Sequence, residues 1–255
     1  DGIDVEAALA RGLRIGHAPD VLAEPVADIA LGLAIDGLRG LTRGDRHVRS
    51  GAWAKAPMKL ATSLGGKVAG IIGLGRIGKA LARRLVACGM SVLYTGRSAQ
   101  KAAAYGFVAT PAELAARCDI LFCCCPATPA ELAARCDILF CCCPATPETE
   151  SLVNADVLRA LGPQGFLVNV ARGSVVDEEA LIAALRDGVI AGAGIDVCRG
   201  EPNADPRLFD LPTLTILPHL GASTREARHG MFEEMAENLR RHFAGRDLRS
   251  PYKPP

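Results

Sequence analysis

The 255-residue sequence predicts an α/β fold, a doubly wound parallel sheet with helices on both faces, and three observations predict it. Short apolar runs of strand length recur without polar alternation, as strands buried on both faces require. Stretches of helical periodicity lie between them. A turn of the form Gly-x-Gly-x-x-Gly joins the first strong run to a helix.

Taken in order, Asp1-Gly2-Ile3-Asp4 reads as a strand entry, and residues 23–40, rich in Ala, Leu and Ile, read as a helix suited to the core or to an oligomer interface. A Gly- and Arg-rich stretch follows to Trp53. The strand candidates are Val68 to Ile72, Val92 to Tyr94, Phe107 to Val108, the run after Asp119 or Asp137, Phe166 to Val170, Ala193 to Val197 and Leu214 to Leu217. Ile77, Leu81 and Leu85 recur at spacing four and give the helix after the glycine turn one apolar face. Asp177 suits the N-cap of a helix carrying Leu181, Ile182 and Leu185 and closed by Gly188. Ser223 with Glu226 has the form of a capping box before a last helix that ends near Gly245, where Met231, Met235 and Leu239 form a stripe read as packing.

One segment is anomalous. Residues 110–127 (TPAELAARCDILFCCCPA) recur without a change as residues 128–145. Solenoid repeats diverge and recur several times, so a single perfect tandem copy points to a recent in-frame duplication or to an error in the gene or its assembly. Each copy reads as a short helix and a buried strand. One copy satisfies the α/β alternation; the fold must eject the other or absorb it as an extra αβ unit.

Composition narrows the function. A formal charge of +1 with 22% charged residues argues against a nucleic-acid partner and favours a small molecule. The charge is uneven, however: from Arg46 through Ala112 there is no Asp or Glu but eleven Lys and Arg. Eight of the ten cysteines belong to the repeated segment. Neighbouring strand residues point to opposite faces, so a Cys-Cys-Cys run cannot gather round one ion; these cysteines are expected to pack, and no metal site is expected. No apolar run is long enough to span a bilayer and the N-terminus lacks a signal-peptide pattern, so the expected location is cytoplasmic, away from membrane.

The turn Gly73-Leu74-Gly75-Arg76-Ile77-Gly78 has the strand-turn-helix context of a phosphate-binding site. Gly73 permits the tight turn, Gly75 lets backbone approach a pyrophosphate, and Gly78 lets the helix lie close to the sheet. The helix N-terminus offers free amides and a favourable dipole to the anion. A ribose hydroxyl would call for a carboxylate about twenty residues further on. The sequence there is Tyr94-Thr95-Gly96-Arg97-Ser98, with no acid nearby. Arg97 and Ser98 suit a 2'-phosphate and Gly96 leaves room for it, so NADP(H) is favoured over NAD(H). Arg76 and Arg83 also suit a solvated face.

Three motifs follow, each just after an apolar strand candidate: Asn169-Val170-Ala171-Arg172-Gly173, Asp196-Val197-Cys198-Arg199-Gly200-Glu201-Pro202, and Leu217-Pro218-His219-Leu220-Gly221-Ala222-Ser223-Thr224. A cation, a carboxylate and an imidazole at the carboxyl edge of one sheet are what reversible keto-acid reduction needs. Arg172 would bind the substrate carboxylate and polarise its carbonyl, His219 would exchange a proton with the oxygen, and Glu201 would orient the imidazole.

With these motifs the chain closely resembles the D-isomer-specific 2-hydroxyacid dehydrogenases from residue 1 to about residue 245. Tyr94 to Ser98 looks like the NADPH-preferring glyoxylate and hydroxypyruvate reductase branch. The resemblance implies a Rossmann dinucleotide-binding domain with a truncated flavodoxin-like substrate lobe: residues 1–22 a remnant holding that lobe's last strand, residues 23–220 the dinucleotide-binding domain, and residues 221–255 a C-terminal helix returning to the lobe. It also implies catalytic roles for Arg172, Glu201 and His219. Pro144, Thr149, Val170, Ala171, Asp196 and Gly221 would stand beside the cofactor with the glycine turn. A homodimer formed through residues 30 to 60 is expected, acting on a small 2-keto or 2-hydroxy acid. Relatives of the same fold also serve as nucleotide-sensing corepressors, and a catalytically impaired fragment is a further reading. Phosphoglycerate dehydrogenase is disfavoured by the missing acid after the second strand.

Overall fold

In the computed structural model, which describes residues 3–18, 20–96, 98–100, 104–123 and 129–252, one parallel sheet organises the chain. The order of elements is α1 (Val5–Ala10), α2 (Ala23–Arg39), α3 (Leu41–Arg49), β1 (Val68–Ile72), α4 (Arg76–Ala87), β2 (Ser91–Thr95), β3 (Gly106–Phe107), α5 (Pro111–Ala115), β4 (Ile120–Cys123), α6 (Pro129–Ala133), β5 (Ile138–Cys141), α7 (Ala155–Leu161), β6 (Phe166–Asn169), α8 (Glu178–Arg186), β7 (Gly192–Ile195), β8 (Leu214–Ile216) and α9 (Arg225–Phe243). The eight strands stand in the order β3-β2-β1-β4-β5-β6-β7-β8. The chain leaves β1 toward one edge and returns beside it at β4, which makes the carboxyl end of β1 the switch point where such sheets bind ligands.

Both copies of the repeated segment enter this sheet. Thr110 caps α5 by accepting from Glu113 N at 3.2 Å, and each copy then gives a one-turn helix and a strand. β4 pairs with β1 and β5 with β6, while between them the copies pair in register, Ile120 with Ile138 through Cys123 with Cys141. The duplication is absorbed as an extra αβ unit because a strand apolar on both faces pairs as well with its own copy as with any neighbour. Phe122 and Phe140 stack with centroids 4.2 Å apart.

The pleat divides the core in two. Ile120, Phe122, Ile138 and Phe140 pack on the face covered by Leu33 of α2 and Leu81 and Leu85 of α4. Leu121 and Leu139 pack on the other face, with Leu114 of α5, Leu132 of α6, Leu158 of α7 and Leu181 of α8. Helix α2 is therefore core: a Cβ on Gly37 would lie 2.6 Å from the Phe166 ring, so only glycine lets the helix settle there. Cys118 and Cys136 are buried, and burial pushes both thiols up to about 12. Both stay protonated in neutral solution.

Four features differ from the expected ones. Asp4 does not lead into a strand; its carboxylate accepts from Ala7 N at 2.9 Å and caps α1, whose Ala-rich run favours helix. Among the described residues before α2 there is one β-bridge, Gly16 with Pro251, and no strand, and Tyr252 N donates to Ile15 O at 2.7 Å there. The cap of α9 is Thr224, accepting from Ala227 N at 3.0 Å, because Ser223 turns its hydroxyl back to His219 O at 3.2 Å. Along α9, Met235 and Leu239 are more than half exposed, so the stripe starting at Met231 does not pack into the core.

Candidate active site

A cleft of about 810 Å³ opens along the carboxyl edge of the sheet. At its β1 end the glycine turn has the geometry its sequence requires. Gly73 has φ of +93° and donates its N–H to Thr95 O at 2.9 Å. A Cβ on Gly78 would stand 2.6 Å from Gly73 O, so only glycine lets α4 start this close to the turn. A Cβ on Gly75 would meet nothing within 4 Å, leaving open space at the N-cap of α4. Gly73, Leu74, Gly75, Arg76, Ile77 and Gly78 all line the cleft, and the residues present fit a dinucleotide's pyrophosphate.

From the end of β2, Gly96 and Ser98 line the same cleft, while Arg97 lies outside the described residues. Asp196 is the sole carboxylate among the described lining residues, and it follows β7, not β2. Tyr94, also in the lining, accepts from Gln100 N at 2.7 Å, and Gln100 Nε2 donates to Leu74 O at 2.8 Å. Gln100, which belongs to none of the sequence motifs, thus ties the second loop to the glycine turn.

The acid-free stretch meets its carboxylates in space. Arg76 pairs with Asp20 and Arg83 with Glu24, while Arg84 reaches Glu24 and Asp28 at 2.7 Å each. Hydrogen bonding to Arg84 holds the Glu24 carboxyl below its ordinary range. Arg76 and Arg83 stay more than half exposed, as a solvated face requires, and are ion-paired there to residues at or before α2.

Beyond the repeat, the tips of β5 and β6 contribute Pro144, Val170, Ala171 and Arg172 to the lining. Thr149 does not line the cleft: its buried hydroxyl donates to Pro144 O at 2.9 Å and accepts from Thr146 N at 2.7 Å, holding the Pro144 loop in shape. Asn169, the first residue of its motif, pins the Arg172 turn; its side chain accepts from Ala171 N and donates to Arg172 O, each at 3.0 Å. Arg172 itself donates to Ala171 O at 2.7 Å.

The other two motifs meet behind the cleft. His219 Nδ1 lies 2.7 Å from Glu201 Oε2, and the second carboxylate oxygen accepts from Cys198 N at 2.9 Å. Glu201 is thus held from two sides behind an imidazole that lines the cleft. His219 has φ of +55°, in the left-handed region, and three hydrogen bonds to Asp196 hold the turn there. Its N–H donates to Asp196 O at 2.9 Å, and the Asp196 carboxylate accepts from Leu220 N at 2.6 Å and Gly221 N at 2.8 Å. Burial raises the Asp196 carboxyl above its ordinary range, opposed by those two amides and by His219. Asp196 and Gly221 line the cleft, but the visible work of this carboxylate is to fix the His219 turn. A Cβ on Gly173 would stand 2.2 Å from Cys198 C and O, so glycine lets the Arg172 and Glu201 turns touch. Arg199 fastens the same region, donating to Glu150 at 2.7 Å and to Ser174 O at 3.0 Å.

The family pattern described as "D-isomer specific 2-hydroxyacid dehydrogenase, NAD binding domain" matches residues 31–131 and again residues 128–221. The chain belongs to the D-isomer-specific 2-hydroxyacid dehydrogenase family. Within this family the chain is similar to glyoxylate/hydroxypyruvate reductase A HPR2 of Arabidopsis thaliana, with 39% identity over 98% of the chain and 74% of the relative. It is also 39% identical to the glyoxylate reductase of Pyrococcus furiosus, over 94% of the chain and 68% of the relative. Among solved dehydrogenases, the NADPH-dependent glyoxylate/hydroxypyruvate reductase SmGhrB of Sinorhizobium meliloti, in complex with NADP and malonate, superposes with a TM-score of 0.78 at 38% identity, over 99% of this chain and 74% of that one. Among the described residues no helix is long and apolar enough to cross a membrane, and no group of three or more His, Cys, Asp or Glu could hold a metal ion.

Proposed function

We propose that this dehydrogenase reduces a small 2-keto acid, glyoxylate or hydroxypyruvate, to its 2-hydroxy acid with NADP(H) in preference to NAD(H). The observation that carries the reading is the His219 to Glu201 contact of 2.7 Å in the cleft that also holds Arg172 and the glycine turn. The nicotinamide would supply the hydride. Gly73 to Gly78 would seat its pyrophosphate, with Val170, Ala171 and Pro144 along its path and Thr149 supporting the Pro144 loop. Arg172 would bind the substrate carboxylate and draw charge from the carbonyl. With Nδ1 facing Glu201, His219 presents Nε2 to the cleft. As imidazolium that nitrogen donates a proton to the carbonyl oxygen, and as neutral imidazole it takes one from the hydroxyl, so one residue serves both directions.

The cofactor preference rests on the lack of a carboxylate near Gly96 and Ser98 among the described lining residues and on Arg97 in sequence between them. The NADP complex of a 38% identical relative supports it. We further propose that residues 23–220 form the dinucleotide-binding unit and that residues 1–22 and 221–255 belong with the substrate-binding part. A second copy of the chain suits the region around residues 30 to 60, where Trp53 is 66% exposed and Leu41 and Val48 are exposed as well.

The test follows oxidation of NADPH and NADH at 340 nm with hydroxypyruvate or glyoxylate. NADPH is expected to react faster, and His219→Ala to lose about 10²- to 10⁴-fold in turnover. Equal rates with the two cofactors would remove the NADP(H) assignment. An undiminished His219→Ala rate would remove the proton-transfer assignment.

A further inference from the structure

The repeated segment stands between the two halves of the active site. The glycine turn leaves β1, whereas Arg172 follows β6, Glu201 follows β7 and His219 follows β8. Strands β4 and β5, the two copies, fill the interval. In a doubly wound sheet of order 3-2-1-4-5-6 one strand separates the first from the fifth; here two strands separate β1 from β6. The family pattern agrees, since it runs through the first copy to residue 131 and resumes at residue 128, the first residue of the second copy. It accommodates one copy at a time.

We infer that the second copy acts as a spacer in the active site, carrying Arg172 and His219 one strand further from the pyrophosphate seat than the chemistry requires. The inference rests on the hydride-transfer reading above. One added strand moves the distal half by about 4.8 Å across the sheet and, through sheet twist, rotates it by about 20–25°. Catalytic groups need placement within about 0.5 Å and 10–20°, and a displacement of 1 Å can cost about 10²-fold. A dinucleotide has fixed covalent reach, so binding at the glycine turn and alignment with His219 compete in the two-copy sheet.

The architecture allows the spacer to be removed cleanly. Because the copies are identical, deleting residues 110–127 or residues 128–145 gives the same chain, and the remaining copy still runs into Thr146 and Pro147. That copy would meet β1 with the residues β4 now uses and β6 with those β5 now uses. The experiment is a series of chains with one, two and three copies, each measured for kcat/KM with NADPH and hydroxypyruvate. Affinities for NADPH and for adenosine 2',5'-bisphosphate, a fragment that reaches only the β1 and β2 side, are measured in parallel. The fragment should bind the folded chains alike.

From two copies to one, kcat/KM should rise by at least about 10²-fold and the advantage of NADPH over the fragment should widen; three copies should reverse both trends. A one-copy chain that binds the fragment normally but gains neither turnover nor NADPH affinity would overturn the inference. If the one-copy chain fails to bind the fragment, the decision passes to the three-copy chain, where unchanged turnover and affinity would overturn it equally. A gain in NADPH affinity on deletion, with no turnover in any chain, would support the spacing and sink the hydride-transfer reading instead.

Discussion

Residues 110–127 and 128–145 are one sequence in two places, and the comparison separates what a sequence dictates from what its neighbours decide. Both copies form a one-turn helix and a strand, both bury their leucines on one face and their phenylalanines on the other, and both hold a cysteine whose thiol burial pushes up to about 12. These properties follow from the residues. The surroundings then diverge. In the first copy Asp119 accepts from Val68 N at 2.7 Å and sits 3.8 Å from Lys67; in the second, Asp137 meets Lys67 at 3.0 Å. Cys142, Cys143 and Pro144 of the second copy line the cleft, and their counterparts at 124–126 lie outside the described residues.

The comparison can be tested where the copies should agree and where they should differ. The largest effect should come from Phe122→Ala and Phe140→Ala, each of which removes a fully buried ring from a stacked pair and should cost about 3–5 kcal/mol in urea unfolding. The two costs should match within about 1 kcal/mol, and a large inequality would show that the strands are not equivalent. Smaller and unequal effects are expected from the aspartates. Asp119→Ala leaves the Val68 amide without its acceptor and should cost about 1–3 kcal/mol, whereas Asp137→Ala removes a half-exposed ion pair worth at most about 1 kcal/mol. Equal losses would mean that the Asp119 to Val68 bond contributes nothing special to the entry of β1.

Much of the fold was legible because strand length, glycine placement and helix spacing are local properties. Val68–Ile72 is found as expected, α2 fills residues 23–39, and Asp177 caps α8 by accepting from Ala180 N at 3.1 Å. Choices between equivalent neighbours were not legible. Ser223 and Thr224 are adjacent hydroxyl residues, and only the turn that brings Ser223 to His219 O makes Thr224 the cap. Contacts across long separations were equally hidden, such as Arg84 with Glu24 and Asp28, or Gln100 with the glycine turn. The repeat posed a choice between ejection and absorption that identical residues cannot decide; pairing with β1 on one side and β6 on the other decided it.

In the site, the rule that polar residues after parallel strands face one cleft groups Arg172 and His219 with the glycine turn, and all of them line the same cleft. It could not show that Asp196 and Asn169 spend their polar groups on holding turns, because those partners are main-chain amides and carbonyls carrying no sequence signal.

The most direct test of the central claim uses NADPH deuterated at the transferable position of the nicotinamide ring, incubated with hydroxypyruvate and the unaltered two-copy chain long enough for slow turnover to accumulate product. Proton and deuterium NMR of the glycerate formed should place one deuterium on C2, with at least about 10²-fold less labelled product in a parallel His219→Ala sample. Glycerate without deuterium from either face of the ring, or equal labelling in the His219→Ala sample, would contradict hydride transfer through this site.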